Sequence, residues 1–238
     1  MELSKRLNWI LEKVDKCETI IDVGTDHGYI PIKLIKDNIA SRVIASDINK
    51  EPLEKARINA SLDGVIEKVD LRLGGGLKTL KSKEVQGIII AGMGGNLIRD
   101  ILEADLDKVK DVDYLVLQPA QNPEVLREYL YTHEYEIIDE DICLDEGKYY
   151  ELFKVKYKKN NITKLEDVFY EISPVMLKKR TETLKSYIED KVEKNNKILN
   201  FINDDTEHAK ERKKQLIRKN EILEKFLEDF SRISFFLI

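Results

Sequence analysis

The sequence predicts a doubly wound α/β domain with a mostly parallel sheet, followed by a helical hairpin. Three observations predict it. Short apolar runs alternate five times with stretches of helical period between residues 3 and 119. The rhythm then breaks into two adjacent strand-like runs within residues 134–157. Beyond Ser173 and Pro174, apolar residues recur at helical spacing in two long charged stretches.

Leu3, Leu7, Ile10, Leu11 and Val14 share one helical face. Thr19–Val23 is an apolar run ending at Gly24 and predicts a buried strand. A helix through Ile30, Leu34 and Ile35 follows Gly28. Arg42–Asp47 is a second strand, closed by an acid. Pro52, whose fixed φ suits a first helical turn, opens a helix that stops at Asp63 and Gly64. Val69–Leu73 is the third strand, followed by Gly74, Gly75 and Gly76. Gly87–Ala91 is the fourth, followed by Gly92–Gly95 and a helix, and Tyr114–Gln118 is the fifth, ending at Pro119. Such alternation implies right-handed βαβ crossovers and a parallel sheet. Glu134–Cys143 and Tyr149–Tyr157, joined by a turn at Asp145–Gly147, predict an antiparallel hairpin closing one edge.

Residues 158–162 are polar and read as a linker, so the expected domains are 1–158 and 159–238. Leu177, Leu184, Ile188, Val192 and Leu199 belong to the first helix of the tail, and Leu216, Leu223, Phe226, Phe230 and Ile233 to the second. Asn203–Asp205 supplies the turn of this antiparallel, coiled-coil-like pair. The hairpin can close on itself, which favours a monomer, or pair with another chain. Phe235–Ile238 is an apolar end that needs a packing partner. His133 and His208 read as surface helix residues.

At 42% hydrophobic and 36% charged, 238 residues suffice for one α/β core and a smaller appendage. No apolar run approaches the roughly eighteen residues that span a bilayer, and Asn8, Glu12 and Lys13 interrupt any secretory apolar stretch, so no membrane association is expected. Cys17 and Cys143 have no metal-ligand spacing around them. Neither a disulfide framework nor a metal site is expected, and a reducing cytoplasm is the default. The net charge of −5 argues mildly against nucleic acid, but its distribution does not. Residues 1–158 hold 23 Lys and Arg against 30 Asp and Glu, whereas residues 178–219 hold 13 against 8. That basic tail suits either a solvated helix face or a nucleic-acid contact.

In open α/β sheets, ligands bind outside the carboxyl ends of the strands. The unusual residues gather at those ends. The first loop runs Asp22, Gly24, Asp26, His27, Gly28, with glycines that let backbone turn sharply and approach a ligand. A pyrophosphate cradle would be Gly-x-Gly-x-x-Gly, and Asp26 in its middle would repel phosphate. S-adenosylmethionine has no phosphate, and its ammonium and sulfonium welcome carboxylates, so Asp22 and Asp26 favour it over a dinucleotide. Asp47, with Ile48 beside it, ends the second strand where an acid bonds ribose hydroxyls, or caps the helix near Pro52. Gly74, Gly75 and Gly76 lie where an adenine ring would sit. Gly92, Met93 and Gly94 would face the methionine part of the cofactor, or serve as an anion loop at the following helix. His27 and Tyr29 stand beside this site, and Tyr29 can stack on a nucleobase.

A parallel five-strand core closed by an antiparallel hairpin is that of Rossmann-type, class I methyltransferases, whereas dinucleotide dehydrogenases usually continue with parallel strands. Taken together, Leu3–Leu7, Asp22–Ile32, Ala45–Ile48, Arg72–Leu77, Ile90–Ile98 and Leu117–Pro119 resemble the bacterial tRNA (adenine-22-N1)-methyltransferases. Thr25-Asp26-His27 and Ala91–Gly95 carry the specific part of the likeness. Gly75 departs from it, since the family usually has Asp there. The resemblance implies transfer of a methyl group to N1 of an adenine in tRNA, with a coiled-coil tail. It implies that Tyr29 stacks the target base, that His27 or Asp26 bonds the base edge, and that Arg6 and Asn96 touch phosphate. Lys178, Lys179, Arg180, Arg212, Lys213 and Lys214 would grip the tRNA body, with binding that weakens in salt. Exocyclic-amine methyltransferases typically carry Asn/Asp-Pro-Pro-aromatic after strand four, and this chain has Gly-Met-Gly-Gly there, which suits a ring nitrogen. Two other functions fit the same loops: methylation of a non-tRNA substrate, and a non-catalytic nucleotide-binding, dimerising protein.

Overall fold

The computed structural model describes residues 3–202 and 206–234. The turn expected at 203–205, the apolar end at 235–238 and the side chain of Ile233 lie outside the described residues. The chain divides into two compact units, Met1–Leu165 and Glu166–Ile238. The segment after residue 158 stays with the first unit because Asn161 Nδ2 donates to Tyr135 O and Thr163 N to Tyr131 O.

The first unit runs α1 (Lys5–Glu12), β1 (Cys17–Val23), α2 (Tyr29–Lys36), β2 (Ala40–Asp47), α3 (Lys50–Leu62), a single 3₁₀ turn (Ile66–Lys68) and β3 (Val69–Leu73). It continues with β4 (Gly87–Gly94), α4 (Gly95–Ala104), α5 (Leu106–Lys110), β5 (Tyr114–Gln121), α6 (Pro123–Thr132), β6 (Tyr135–Asp145) and β7 (Lys148–Tyr157). The seven strands form one sheet in the order β3-β2-β1-β4-β5-β7-β6. β1 to β5 are parallel, and β7 joins β5 antiparallel with β6 outside it. Glu146 and Gly147, both at positive φ, make the tight turn between β6 and β7. α6, which begins at Pro123 and is not evident from strand alternation alone, returns the chain from β5 to the hairpin. His133 lies just past its end in extended backbone, not within the helix, and its ring packs on Tyr129.

Both sheet faces are covered, which is why the central strands read as unbroken apolar runs. Ile21, Val23, Ile88, Ile90, Leu115 and Leu117 face α4, α5 and α6 through Ile98, Leu102, Val109, Leu126 and Leu130. Their neighbours Ile20, Val43, Ile89 and Val116 face α1 and α2 through Trp9, Ile10, Ile32 and Leu34. Adjacent strands β1 and β4 carry the chain away in opposite directions, so the crevice of the sheet opens between their carboxyl ends.

The second unit holds α7 (Asp167–Glu171), α8 (Pro174–Lys179), α9 (Glu182–Phe201) and α10 (Glu207–Ser234). The sequence predicts one helix from Pro174 to Leu199. Instead Arg180 turns left-handed at φ 49°, and α9 restarts with Thr181 Oγ1 accepting from Leu184 N. Ser173 caps α8 in the same way, so each short segment carries its own start signal.

Candidate active site

Loop Gly24–Gly28 leaves β1 through three left-handed residues, Gly24 (φ 78°), Asp26 (φ 46°) and Gly28 (φ 73°). The amides of Gly24 and Thr25 both donate to Ser46 O, tying the loop to the end of β2. A Cβ at Gly28 would come within 2.8 Å of Ala56 Cβ, so glycine there lets α3 close on the loop. Asn59 Nδ2 donates to His27 O from the same helix.

Asp22 is buried at the carboxyl end of β1 and has no ion pair among the described residues. Burial pushes its carboxyl up to about 7, opposed by the Thr25 hydroxyl and helped by the negative charge of Asp47. A buried carboxylate without a counter-ion, beside a glycine turn, is a receptor for a cation.

Asp47, Ile48, Gly74 and Gly75 come together. Asp47 Oδ1 accepts from Asn49 N, while Asp47 O accepts from Gly74 N. The helix cap itself is Asn49, not Asp47. Ile48 is 70% exposed, and a Cβ at Gly75 would stand 3.1 Å from its Cγ2. An apolar side chain held open over a glycine loop offers a flat ring one face to rest on. Gly76 turns the other way, towards Ile101 of α4.

β4 shifts register twice against β5, around Met93, with Gly92 at φ 78°. Bulges of this kind re-aim side chains near active sites, and here Met93 reaches across to Gly24. A side chain at Gly92 or Gly94 would meet only open space, so the backbone is bare there. Gly95 is pressed against Asn122 O and admits no Cβ. Asn96 and Leu97 are exposed on the first turn of α4.

The His27 and Tyr29 rings lie parallel, 5.2 Å apart with an 11° tilt, and Asp26 Oδ1 is 3.6 Å from His27 Nε2. Arg6 is already engaged: its Nη1 donates to Gln118 Oε1 at 2.7 Å, its amide donates to Asp145, and its guanidinium lies 5.3 Å over the Tyr150 ring. Gln118 is wholly buried, and its Nε2 donates to Pro119 O. Tyr150 and Asp145 carry no sequence signal for this site. Gln118 does, as the polar residue ending an apolar strand.

In the second unit, Asn195 Nδ2 donates to Asn220 Oδ1 and Asn220 Nδ2 to Asn196 Oδ1, setting α9 antiparallel against α10. Arg180 donates to Asp229 O. Lys178, Lys179 and Arg180 therefore stand at one end of the hairpin and Arg212, Lys213 and Lys214 towards the other. The seventeen steps from Arg212 to Asp229 amount to about 25 Å of helix. The six basic residues do not form one cluster.

Among the described residues, no three His, Cys, Asp or Glu side chains could hold a metal ion, and no helix is long and apolar enough to cross a membrane.

A family model described as tRNA (adenine(22)-N(1))-methyltransferase matches residues 20–225. The tRNA (adenine(22)-N(1))-methyltransferase of Bacillus subtilis (strain 168) is 38% identical over 152 residues, 64% of this chain and 64% of that protein's length. The structure of Streptococcus pneumoniae Sp1610 in complex with S-adenosyl-L-methionine is similar with a TM-score of 0.83 at 30% identity, over 95% of this chain and all of that one. M. capricolum TrmK in complex with S-adenosyl-homocysteine gives 0.80 at 27% identity, over 94% of this chain and 99% of that one.

Proposed function

The chain belongs to the tRNA (adenine(22)-N(1))-methyltransferase family, and we propose on that premise that it methylates N1 of adenine 22 in tRNA, using S-adenosylmethionine and giving 1-methyladenosine. The observation that carries the cofactor is Asp22, a buried carboxylate with no cation paired to it among the described residues. The residues present fit the group. Asp22 receives its ammonium, the bare turn at Gly24 and Gly28 lets backbone close on it, and Asp47 bonds the ribose hydroxyls. Ile48, Gly74 and Gly75 would border its adenine, with no acid at position 75 to bond the adenine amine. Gly92, Met93 and Gly94 border the methionine end. When bound, the cofactor supplies an electrophilic methyl group on a sulfonium.

The chain's own work is positional. N1 of adenine carries an in-plane lone pair and needs no deprotonation, so orientation supplies most of the rate. Tyr29, backed by the His27 ring, stacks on the extruded base. Asp26 and His27 bond its edge, and the carboxylates of the site tolerate the cationic product. Arg6, fixed by Gln118, and Asn96 meet backbone phosphate near the target. Lys178–Arg180 and Arg212–Lys214 contact the tRNA at two separated places. The protein acts as a monomer, in the cytoplasm.

The test is incubation of the protein and unmodified tRNA with S-adenosylmethionine labelled in its methyl group, followed by identification of the labelled nucleoside. Label is expected in 1-methyladenosine, to be lost with Asp22→Ala. Cofactor binding without label in any tRNA would transfer the activity to another substrate.

A further inference from the structure

Two large aliphatic side chains stand exposed at the carboxyl edge of the sheet: Ile48 after β2, and Leu97 on the first turn of α4, 51% exposed. A lone exposed aliphatic means little, but these two flank the same three glycines. A Cβ at Gly75 would stand 3.1 Å from Ile48 Cγ2, and one at Gly76 would stand 3.4 Å from Ile101 Cγ1 and Cγ2. Leu97 precedes Ile101 by one helical turn, so it lies on the same side of α4. α4 starts where β4 ends, which puts Leu97 nearer the carboxyl edge than Ile101. The loop Gly74–Gly76 therefore runs between Ile48 on one side and the Leu97–Ile101 stripe on the other.

The polar groups around that loop are engaged in holding it. Arg72 donates to Thr79 O and pairs with Asp70 and Glu84. Lys108 Nζ donates to Leu77 O and pairs with Asp105, which lies about 12 Å along the helix from Leu97. Gly75 O accepts from Lys78 N, and Gly74 N donates to Asp47 O. The Thr79 hydroxyl is buried, and its methyl packs on Gly74. Asp70, Glu84 and Asp105 each have a cation already. Two apolar walls over bare glycine suit a flat ring, and none of these acids is left to accept from a donor on its edge. An apolar site discriminates weakly between analogues that differ by one polar group. A site built to bond that group rejects the analogue lacking it by orders of magnitude.

We propose that Ile48 and Leu97 clamp the two faces of the cofactor's adenine, and that its amine, passing over Gly75, meets no acceptor. The chain then selects the cofactor's base by shape and accepts a purine altered at the 6-position. The inference rests on the S-adenosylmethionine reading above. To that reading it adds Leu97 as a binding residue and Gly75 as the position that sets base specificity.

The test is calorimetric titration of the full chain with S-adenosyl-homocysteine and with its analogue whose base is unsubstituted purine, lacking the amine. The wild type should bind the two within about threefold of each other. Leu97→Ala should weaken both alike, by about 3- to 30-fold. Its thermal unfolding without ligand should match the wild type, because Leu97 is half-exposed. Gly75→Asp supplies an acceptor, and the exposed Ile48 has room to yield to it. That variant should favour S-adenosyl-homocysteine over the purine analogue by about 10- to 150-fold. A wild-type preference of about tenfold or more for the aminated ligand overturns the proposal. So does a Leu97→Ala variant with both affinities unchanged, or a folded Gly75→Asp variant that gains no preference. If neither ligand binds the wild type, the cofactor reading itself fails. If both bind and Leu97→Ala matches the wild type, only the clamp fails.

Discussion

The terminal methyl of Met93 occupies the space that a side chain at position 24 would need. The two residues are far apart in sequence and meet because β1 and β4 are neighbours and β4 is bulged at Met93. Gly24 also sits at φ 78°, where a Cβ is strained. Gly24→Ala is expected to abolish measurable S-adenosylmethionine binding by calorimetry. Shortening the partner, as Met93→Ala, should recover part of that binding in the double variant, with a coupling of about 0.5–3 kcal/mol. Strictly additive losses would mean that the two residues act separately.

Asp22 ties stability to pH. Its carboxyl lies at about 7 in the fold against an ordinary 3.8. Between those values the folded chain holds a proton that the unfolded chain has released, so stability falls as pH rises through that window. Asp22→Asn should remove this slope and stabilise the cofactor-free protein at pH 8, on the order of 2–4 kcal/mol, while weakening cofactor binding. In the wild type, cofactor affinity should increase from pH 6 to pH 8 as the carboxyl ionises. Thermal unfolding and calorimetry across that range read both effects, and a wild-type slope in Asp22→Asn would assign the titration to another group.

Arg127 of α6 is wholly buried between Glu140 of β6, 2.6 Å from its Nε, and Glu151 of β7, with its guanidinium 4.8 Å over Phe153. The two carboxylates hold its charge firmly on, against the cost of burial. Removing one member strands the other charges. Arg127→Met should therefore cost about 3–5 kcal/mol in urea unfolding. Replacing all three residues by apolar ones of similar volume should restore most of it. A loss under 1 kcal/mol in the single variant would show that water reaches the pair.

Asn195, Asn196 and Asn220 form a polar ladder at the seam of α9 and α10. Asn220→Leu leaves the amides of Asn195 and Asn196 without their partner, at a cost of about 1–3 kcal/mol. Asn195→Leu combined with Asn220→Leu should recover the stability but loosen the register, as buried polar residues do in coiled coils. Denaturation midpoints test the first effect. Cysteine cross-linking between level positions tests the second.

The order of strands and helices through β5 (apart from the short α5), the closing hairpin and the glycine and acid positions at the strand ends are legible in the sequence. They depend on local period, backbone sterics and short-range turn chemistry, which a few neighbouring residues decide. Val69–Leu73 falls on its strand without adjustment, and Pro119 lies inside β5 because a strand near the sheet's end can spare one amide. The stop at Arg180 was less legible, because Thr181 as a cap competes with an unbroken apolar period on either side of it.

What only the tertiary structure decided is which distant residues meet. The resemblance places Arg6 on phosphate, but nothing in the sequence shows that the packing of α1 against the sheet brings it to Gln118, 112 residues away, which fixes its guanidinium. The six basic residues of the tail look like one surface along the chain, and the antiparallel return of α10 separates them by about 25 Å. Gly24 and Met93 become a single steric unit only when two strands pair and one bulges. Pattern along a chain reports which face each side chain belongs to. The partner across that face is set by how whole elements stack, and that energy is shared among many side chains rather than carried by the residues that finally touch.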